Sequence, residues 1–514
     1  MLRLKIKKIR HLLLCLIVIM VCLQSCNPSP DPSFICETAP CPQLRWKTPC
    51  HFVMPVDRPL LGIEDGEKKL TLCDLIDVSL KNNPRTQLAW RQARSAAYQV
   101  GARESQLYPN LTYFGSINLL KIHSNNATGF GVLNNGGRTT NNPDQNTVDP
   151  NNPNTDPLNI NPLEGLTAFA VPRDDYSQVL IHNLALTYLL LDFGGRFADI
   201  EASKLALHSA NWNHNQMIQN VILDVLNAYY AHENAVANLK ARELDLKDAK
   251  VNFESAKAQF EAGVRNKVDV LQAQSNLANA ELNLETYRGR VKTTMGQLAT
   301  ALGIPANSQL NVEPLPDTLP SDTIKENVEE LMAMAKAERP DLQASYADFL
   351  QKQAQIRVAD SAGRPTLQAI GSAQSYGFIH QPILNNRFVA GGLMLQVPLF
   401  DGFLRRHQVR RAKEDARAAY ETYEDKQENV YLDVVRSYYD FKTAIEAVKY
   451  SEDLYAYSDE SYKATLEAYN SGVASIVELL NTQASLADAR SRRIESRTQF
   501  VTALANIAYS TGTL

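Results

Sequence analysis

Leu190-Leu191-Asp192-Phe193-Gly194-Gly195-Arg196 returns as Leu399-Phe400-Asp401-Gly402-Phe403-Leu404-Arg405, and this pair decides the fold of the chain. The match extends outward without a gap. Residues 184–303 lie on residues 393–512 at a constant shift of 209, bringing Asp224 onto Asp433 and Tyr229-Tyr230 onto Tyr438-Tyr439. The same shift brings Gly263-Val264 onto Gly472-Val473, Gln274 onto Gln483 and Gly303 onto Gly512. Upstream the repeat continues at a shift of 256, where Leu75 meets Leu331, Pro84 meets Pro340 and Pro109 meets Pro365. A duplicated unit predicts a pseudo-symmetric architecture. The 47-residue difference between the shifts is an insertion in the first copy, read as Ser124–Arg173. Its Asn, Asp, Pro and Gly predict a solvated loop. Asp144, Asp149 and Asp156 within it fit no calcium-loop spacing.

Arg196 to Ala262 is a stretch of 67 residues without proline, roughly 100 Å of helix. Val225, Tyr229, His232, Val236, Leu239 and Leu246 recur at heptad spacing, interrupted by Glu243. Val434, Tyr438, Phe441, Ile445, Val448 and Tyr455 repeat the register, which predicts coiled-coil packing. Gly263-Val264 breaks the helix, and a second helical pattern runs from about Val268 through Val270, Leu277, Leu284, Val291 and Leu298. The result is an antiparallel hairpin, made again at Gly472-Val473. Shorter helical segments are expected over about Leu72–Leu107 and Val328–Ala362.

Four segments alternate with period two. They are Leu111, Tyr113, Ile117 and Leu119; Leu184, Leu186, Tyr188 and Leu190; the weaker Leu367–Tyr376; and Leu393, Leu395, Val397 and Leu399. They fit membrane β-barrel strands or a half-buried sheet equally well. If they lie in lipid, four strands cannot close a barrel and open edges cannot stay there. Closure then needs several chains, and three would give twelve strands.

Arg3, Lys5, Lys7, Lys8 and Arg10 precede the apolar run Leu12–Leu23, which is too short to span a bilayer and reads as a secretory signal. Leu23-Gln24-Ser25-Cys26 resembles a bacterial lipobox, implying cleavage before Cys26 and its lipidation. Without residues 1–25 the 52 Lys and Arg fall to 47 against 56 Asp and Glu, a net charge of about −9. That balance argues against a nucleic-acid partner. Cys36, Cys41, Cys50 and Cys73 would remain, and in an oxidising compartment they predict disulfides, with three pairings open. No phosphate-binding glycine loop is present, and the nine histidines are scattered, His232 reading as a packed core residue. Neither a cofactor, a metal site nor an enzyme is expected. Tyr229-Tyr230 and Tyr438-Tyr439 read as interhelical packing.

The two strand-to-helix corners, with Phe260–Val264 leading into Val268–Gln274 and Tyr469–Val473 leading into Val477–Gln483, resemble the TolC-like outer-membrane efflux protein family over about residues 70–514. The resemblance implies a mixed α and β membrane protein. Its duplicated unit would form a homotrimeric 12-stranded β-barrel on a long periplasmic α-helical barrel. It implies a signal peptide at 1–25, a lipidated tail at 26–70, a first repeat at 71–304 with the extracellular insertion 124–173, a linker at 305–326 and a second repeat at 327–514. The implied place is the outer membrane of a Gram-negative bacterium, with lipid, a periplasmic adaptor and an inner-membrane pump as partners. The implied function is a passive exit duct for drugs or small molecules. Protein export by a type I system is an alternative, and a lipid-anchored periplasmic coiled-coil scaffold is a weaker one. Gly263, Val264, Gly472 and Val473 would dock the adaptor. Asp269, Tyr469, Glu478 and Asn481 would form the periplasmic gate, Asp269 and Glu478 as carboxylate rings. Simple capping of the next helix competes for both carboxylates.

Overall fold

The computed structural model describes residues 41–44, 69–120, 177–315, 327–378 and 386–514. The signal, Cys26 and the 124–173 insertion lie outside them. The chain divides into two compact units: a helical unit of three chain segments, and a sheet unit built from residues 105–194 and 363–401.

In the helical unit, α1 spans Leu72–Asn82 and α2 spans Pro84–Glu104. The long α3 covers Gly195–Glu261 and α4 covers Lys267–Ala301. The second copy gives α5 (Val328–Glu338), α6 (Pro340–Ser361), α7 (Leu404–Asn470) and α8 (Ile476–Thr511). The two long helices have 67 residues each, as the proline-free stretch predicts. Each of the shorter segments, expected over about Leu72–Leu107 and Val328–Ala362, proves to be two helices. Pro84 and Pro340 cause the break, because proline pushes the residue before it into an extended conformation. Asn83 and Arg339 take ψ values of 123° and 118° there.

The buried seam of the lower half of α3 differs from the expected heptad. Val236, Leu239 and Leu246 are only half-buried. Ala235, Asn238, Ala241, Asp245, Ala249, Asn252 and Ala256 are buried instead. Glu243 lies outside this seam, exposed. Small side chains let the axes approach closely, so the larger aliphatics move to the flanks. Tyr229 is buried and donates from its hydroxyl to the Glu313 carbonyl (2.9 Å), whereas Tyr439 is 59% exposed and so lies outside a buried interhelical seam among the described residues. Cys41 and Cys73 are free thiols, so the pairing of these two with each other is not made. Cys36 and Cys50 lie outside the described residues.

His232 is a packed core residue, as expected, with Nδ1 3.1 Å from the Thr294 hydroxyl. His214 is fully buried, with Nε2 3.1 Å from the Leu44 carbonyl. Burial holds both imidazoles below their ordinary pKa. A base depressed in the folded state contributes stability above about pH 6.5 and loses it as pH falls, because only the unfolded chain protonates freely. Burial raises Glu233 and Asp245, which act in the opposite direction. The histidine part is therefore isolated by comparison with a variant. The melting temperature of His232→Gln should fall less steeply than that of the parent between about pH 7 and pH 5. Parallel slopes would remove His232 from the acid response.

The sheet unit is an antiparallel meander in the order β1-β2-β3-β4. The strands are Asn110–Leu120, Ser177–Leu191, Thr366–Phe378 and Asn386–Gln396. Leu111 pairs with Leu186 and Tyr113 with Leu184, placing the predicted apolar sets on one face. Ala373 and Val389 continue that row, as do Leu367 and Leu395. The opposite face includes Thr112, Asn183, Ser372 and Gln374. Two details differ from expectation. A bulge makes Leu190 an extra residue, so Leu191 takes the place opposite Leu367. β4 ends at Gln396, leaving Val397 and Leu399 beyond the ladder. The weak third segment is a full strand of 13 residues, because neighbours on both sides satisfy its small residues.

The two strand-to-helix corners share one backbone device. Phe193 and Gly194 have φ of 52° and 89°, and Gly402 and Phe403 have 65° and 68°. Each copy makes two successive left-handed residues, with the order of Phe and Gly exchanged. A non-glycine residue there costs about 1–3 kcal/mol, so the turn is held by its surroundings.

Candidate functional site at the hairpin tips

Both hairpins turn by the same local chemistry. Gly263 has φ 77° and Gly472 φ 83°, where glycine alone is unstrained. The Val264 amide donates to the Gln259 carbonyl and the Val473 amide to the Ala468 carbonyl, each at 2.9 Å. These bonds close the carbonyls left free at the end of α3 and of α7. The turn then throws its valine outward: Val264 is 65% and Val473 84% exposed.

The next helices start with side-chain caps, and here the equivalent carboxylates diverge. The Ser475 hydroxyl accepts from the Glu478 amide, and Glu478 Oε2 accepts in return from the Ser475 amide at 2.8 Å. Glu478 is thus engaged in a full capping box, the role that competed with the gate. Asn266 caps the Asp269 amide at 3.1 Å, without the reciprocal half. Asn481 is exposed one turn beyond Glu478.

Tyr469 is the fully buried centre of the tip. It packs in a cluster with Ala256 and Ala273 of the first hairpin and Tyr462, Ile476 and Leu479 of the second. The Arg265 guanidinium lies over its ring at 5.0 Å. Arg265 Nη2 also donates to the Ala474 carbonyl (2.6 Å) and Nε to Gln259 Oε1 (3.3 Å). The Gln259 amide group in turn donates to the Tyr469 carbonyl (3.3 Å). The two hairpins are therefore clasped within one chain. Burial raises the Tyr469 phenol, the Asp269 charge adds to the rise and Arg265 opposes it. Sequence reasoning missed Arg265, although it stands where the second copy has Ala474, and that departure from the repeat was the available signal.

Two polar layers stand above the clasp. Gln483 Oε1 accepts from Asn252 (2.7 Å) and Asn276 (2.8 Å), and Tyr462 donates to Asn252 Oδ1 (3.1 Å), joining all four helices. Farther up, Arg490 Nη1 reaches Asp245 (2.7 Å) and Asp248 (2.8 Å), while Arg242 Nη1 holds Asp245 at 2.8 Å. Buried polar layers of this kind fix helix register more than they add stability. Among the described residues no group of three or more His, Cys, Asp or Glu is placed to hold a metal.

This geometry agrees with what the chain is similar to. The family described as outer membrane efflux protein matches residues 75–304 and 331–513. Protein CyaE of Bordetella pertussis is 23% identical over 470 residues, covering 90% of this chain and 85% of that protein. The outer membrane protein VceC of Vibrio cholerae superposes with a TM-score of 0.68 at 15% identity, over 86% of this chain and 96% of VceC. The Campylobacter jejuni CmeC outer membrane channel gives 0.67 at 17% identity, over 86% and 85%. At such identities the solved structures establish the fold, mixed α and β and mostly helical, and the matched family supplies the assignment. The chain belongs to the outer membrane efflux protein family.

Proposed function

We propose that this protein is the outer-membrane exit duct of a tripartite efflux pump, passing drugs or small molecules without chemistry of its own. The observation that carries the reading is the sheet. Its apolar face is exposed, with Ile117 at 69% and Val389 at 79%, and among the described residues β1 and β4 each have one neighbour only. An apolar face suits lipid, and free edges in lipid require further strands. Three copies supply twelve. The exposed Leu244, Leu282, Tyr450 and Tyr457 on the long helices likewise need neighbours. In this reading a homotrimer closes a β-barrel in the outer membrane and a helical barrel in the periplasm. Lipid on Cys26 anchors the N-terminus, and residues 124–173 lie outside the cell.

The outward Val264 and Val473 are the docking points for a periplasmic adaptor, which joins the duct to an inner-membrane pump. Asp269, Tyr469, Glu478 and Asn481 surround the entrance. Among them the Arg265-covered Tyr469 holds it closed. A photocrosslinker at Val473 in cells tests the reading. Recovery of a periplasmic adaptor is expected, and the adaptor's class separates drug efflux from protein export. Repeated recovery of cell-wall proteins with no adaptor would favour the scaffold reading.

A further inference from the structure

The duplication makes one junction inside the chain a template for a junction between chains. The upper half of the helical unit is ordered α2, α3, α6, α7, so α2 and α7 are its edges. Tyr346 of α6 packs tilted against Tyr423 of α7 and Phe349 edge-on against Tyr420, which assigns that face of α6 to α7. The other face, with Ala344, Ala347 and Ala354 buried, meets α3. Two anchors set its register. Arg357 pairs with Glu201 at 2.6 Å. At the other end, Gln219 donates to the Gly512 carbonyl, and Gly512 lies against the backbone of Arg339. The helices are therefore antiparallel, and Ala347 lies level with Asn211 and Trp212.

The repeat shifts carry this junction onto the two edges. The α6 positions 344, 347, 351, 354 and 358 become Leu88, Arg91, Ser95, Tyr98 and Ala102 of α2. On α6 none is exposed; on α2 all five are. The α3 positions 198, 202, 205, 209, 212, 216 and 219 become His407, Arg411, Glu414, Ala418, Glu421, Asp425 and Glu428 of α7. On α3 none is exposed; on α7 all seven are. Each of these twelve positions covered inside the chain is thus solvent-exposed at its counterpart.

We infer that the bare face of α2 is covered by the bare face of α7 from a second copy of this chain, with Arg91 of one copy paired to Glu421 of the next. The level of Ala347 with Trp212 transfers directly to Arg91 with Glu421. Charge agrees with register. Arg91 stacks on its own Trp90 (4.7 Å), and Arg94 flanks the same ring (5.0 Å). Opposite them, the seven α7 positions carry the four acids Glu414, Glu421, Asp425 and Glu428, with Arg411 and His407 toward the far end and Glu414 also paired with its own Arg417 (2.8 Å). Inside the chain this seam is nearly neutral and rich in alanine. Between copies it is polarised, and that difference distinguishes the head-to-tail contact from a wrong pairing of like edges.

The inference rests on the multi-chain reading above, and its test separates the two. The full-length protein is assembled in outer membranes with Arg91→Glu, with Glu421→Arg and with both. Each single reversal should lower the SDS-resistant oligomer several-fold, and the pair together should restore it. A benzoylphenylalanine at Tyr98 in the otherwise unchanged chain should crosslink to a peptide of a second copy containing Glu414. An intact oligomer that ignores both reversals, or a Tyr98 crosslink to any other segment, overturns the pairing and leaves the duct reading standing. A purely monomeric protein overturns both.

Discussion

Gly512→Ala and Gly303→Ala should each destabilise the helical unit by about 2–4 kcal/mol, the left-handed backbone and the overpacking acting together. Gly303 closes α4 at φ 76°, and Gly512 closes α8 at φ 82°. Each end bonds back into its own helix, through the Ile304 amide to the Ala299 carbonyl and the Thr513 amide to the Ala508 carbonyl. Each glycine also lies against the break before a proline. A Cβ on Gly303 would stand 2.8 Å from Asn83 Cα, and one on Gly512 would stand 2.8 Å from the Glu338 carbonyl carbon. These are backbone atoms of a turn already constrained by Pro84 or Pro340, so the neighbour has little room to yield. Gly472→Ala separates the two contributions. It has φ 83° but nothing within 4 Å of an added Cβ, so only the conformational part remains, about 1 kcal/mol. Gly289→Ala, in the exposed interior of α4 with open space around it, should stabilise slightly. Thermal unfolding followed by helical circular dichroism gives the order. Equal losses for Gly472→Ala and Gly512→Ala would show that the Pro-break contact does not constrain the fold.

The duplicated corners and the two glycine turns were legible because each depends on a local rule that repeats. Proline-free length gave α3 and α7 nearly to the residue, since nothing within those 67 residues breaks a helix. The buried seam of α3 was not legible. Aliphatic spacing marks an amphipathic helix, but close packing against two neighbours selects Ala235, Ala249 and Ala256, and small residues carry no hydrophobic signal of their own. Leu190 was assigned to the wrong register because a bulge adds a residue without changing composition. At the tip, sequence equivalence suggested like roles for Asp269 and Glu478. The cap residues decide otherwise: Ser475 and Glu478 exchange reciprocal bonds, and Asn266 makes only its own half with Asp269. Tyr469 is legible in the sequence, whereas the partner that covers it lies over 200 positions away and shows there only as the departure of Arg265 from the repeat.

Arg265→Ala should release the clasp at the tip and raise single-channel conductance in planar bilayers by a large factor. The substitution removes the Nη2 bond to the Ala474 carbonyl, the Nε bond to Gln259 and the cation over the Tyr469 ring. A charge-assisted hydrogen bond contributes about 1.5–3 kcal/mol and a cation over an aromatic face about 0.5–2 kcal/mol. In the proposed trimer, losses of that size at each of three tips would move a closed entrance far toward open, since every 1.4 kcal/mol or so is a tenfold change in population. Tyr469→Ala should open it too, by emptying the space among Ala256, Ala273 and Leu479 at a cost of about 3–5 kcal/mol. Tyr469→Phe divides the ring from its hydroxyl. The phenol oxygen is buried without a hydrogen-bond partner among the described residues, and the stacking and packing belong to the ring, so this variant should conduct like the parent. If Tyr469→Phe conducts like Tyr469→Ala, the hydroxyl meets a group on a neighbouring copy, and the lock lies between chains. If Arg265→Ala conducts like the parent, the clasp between the two hairpins does not hold the entrance, and the closing force must be sought at Asp269 and the neighbouring copies.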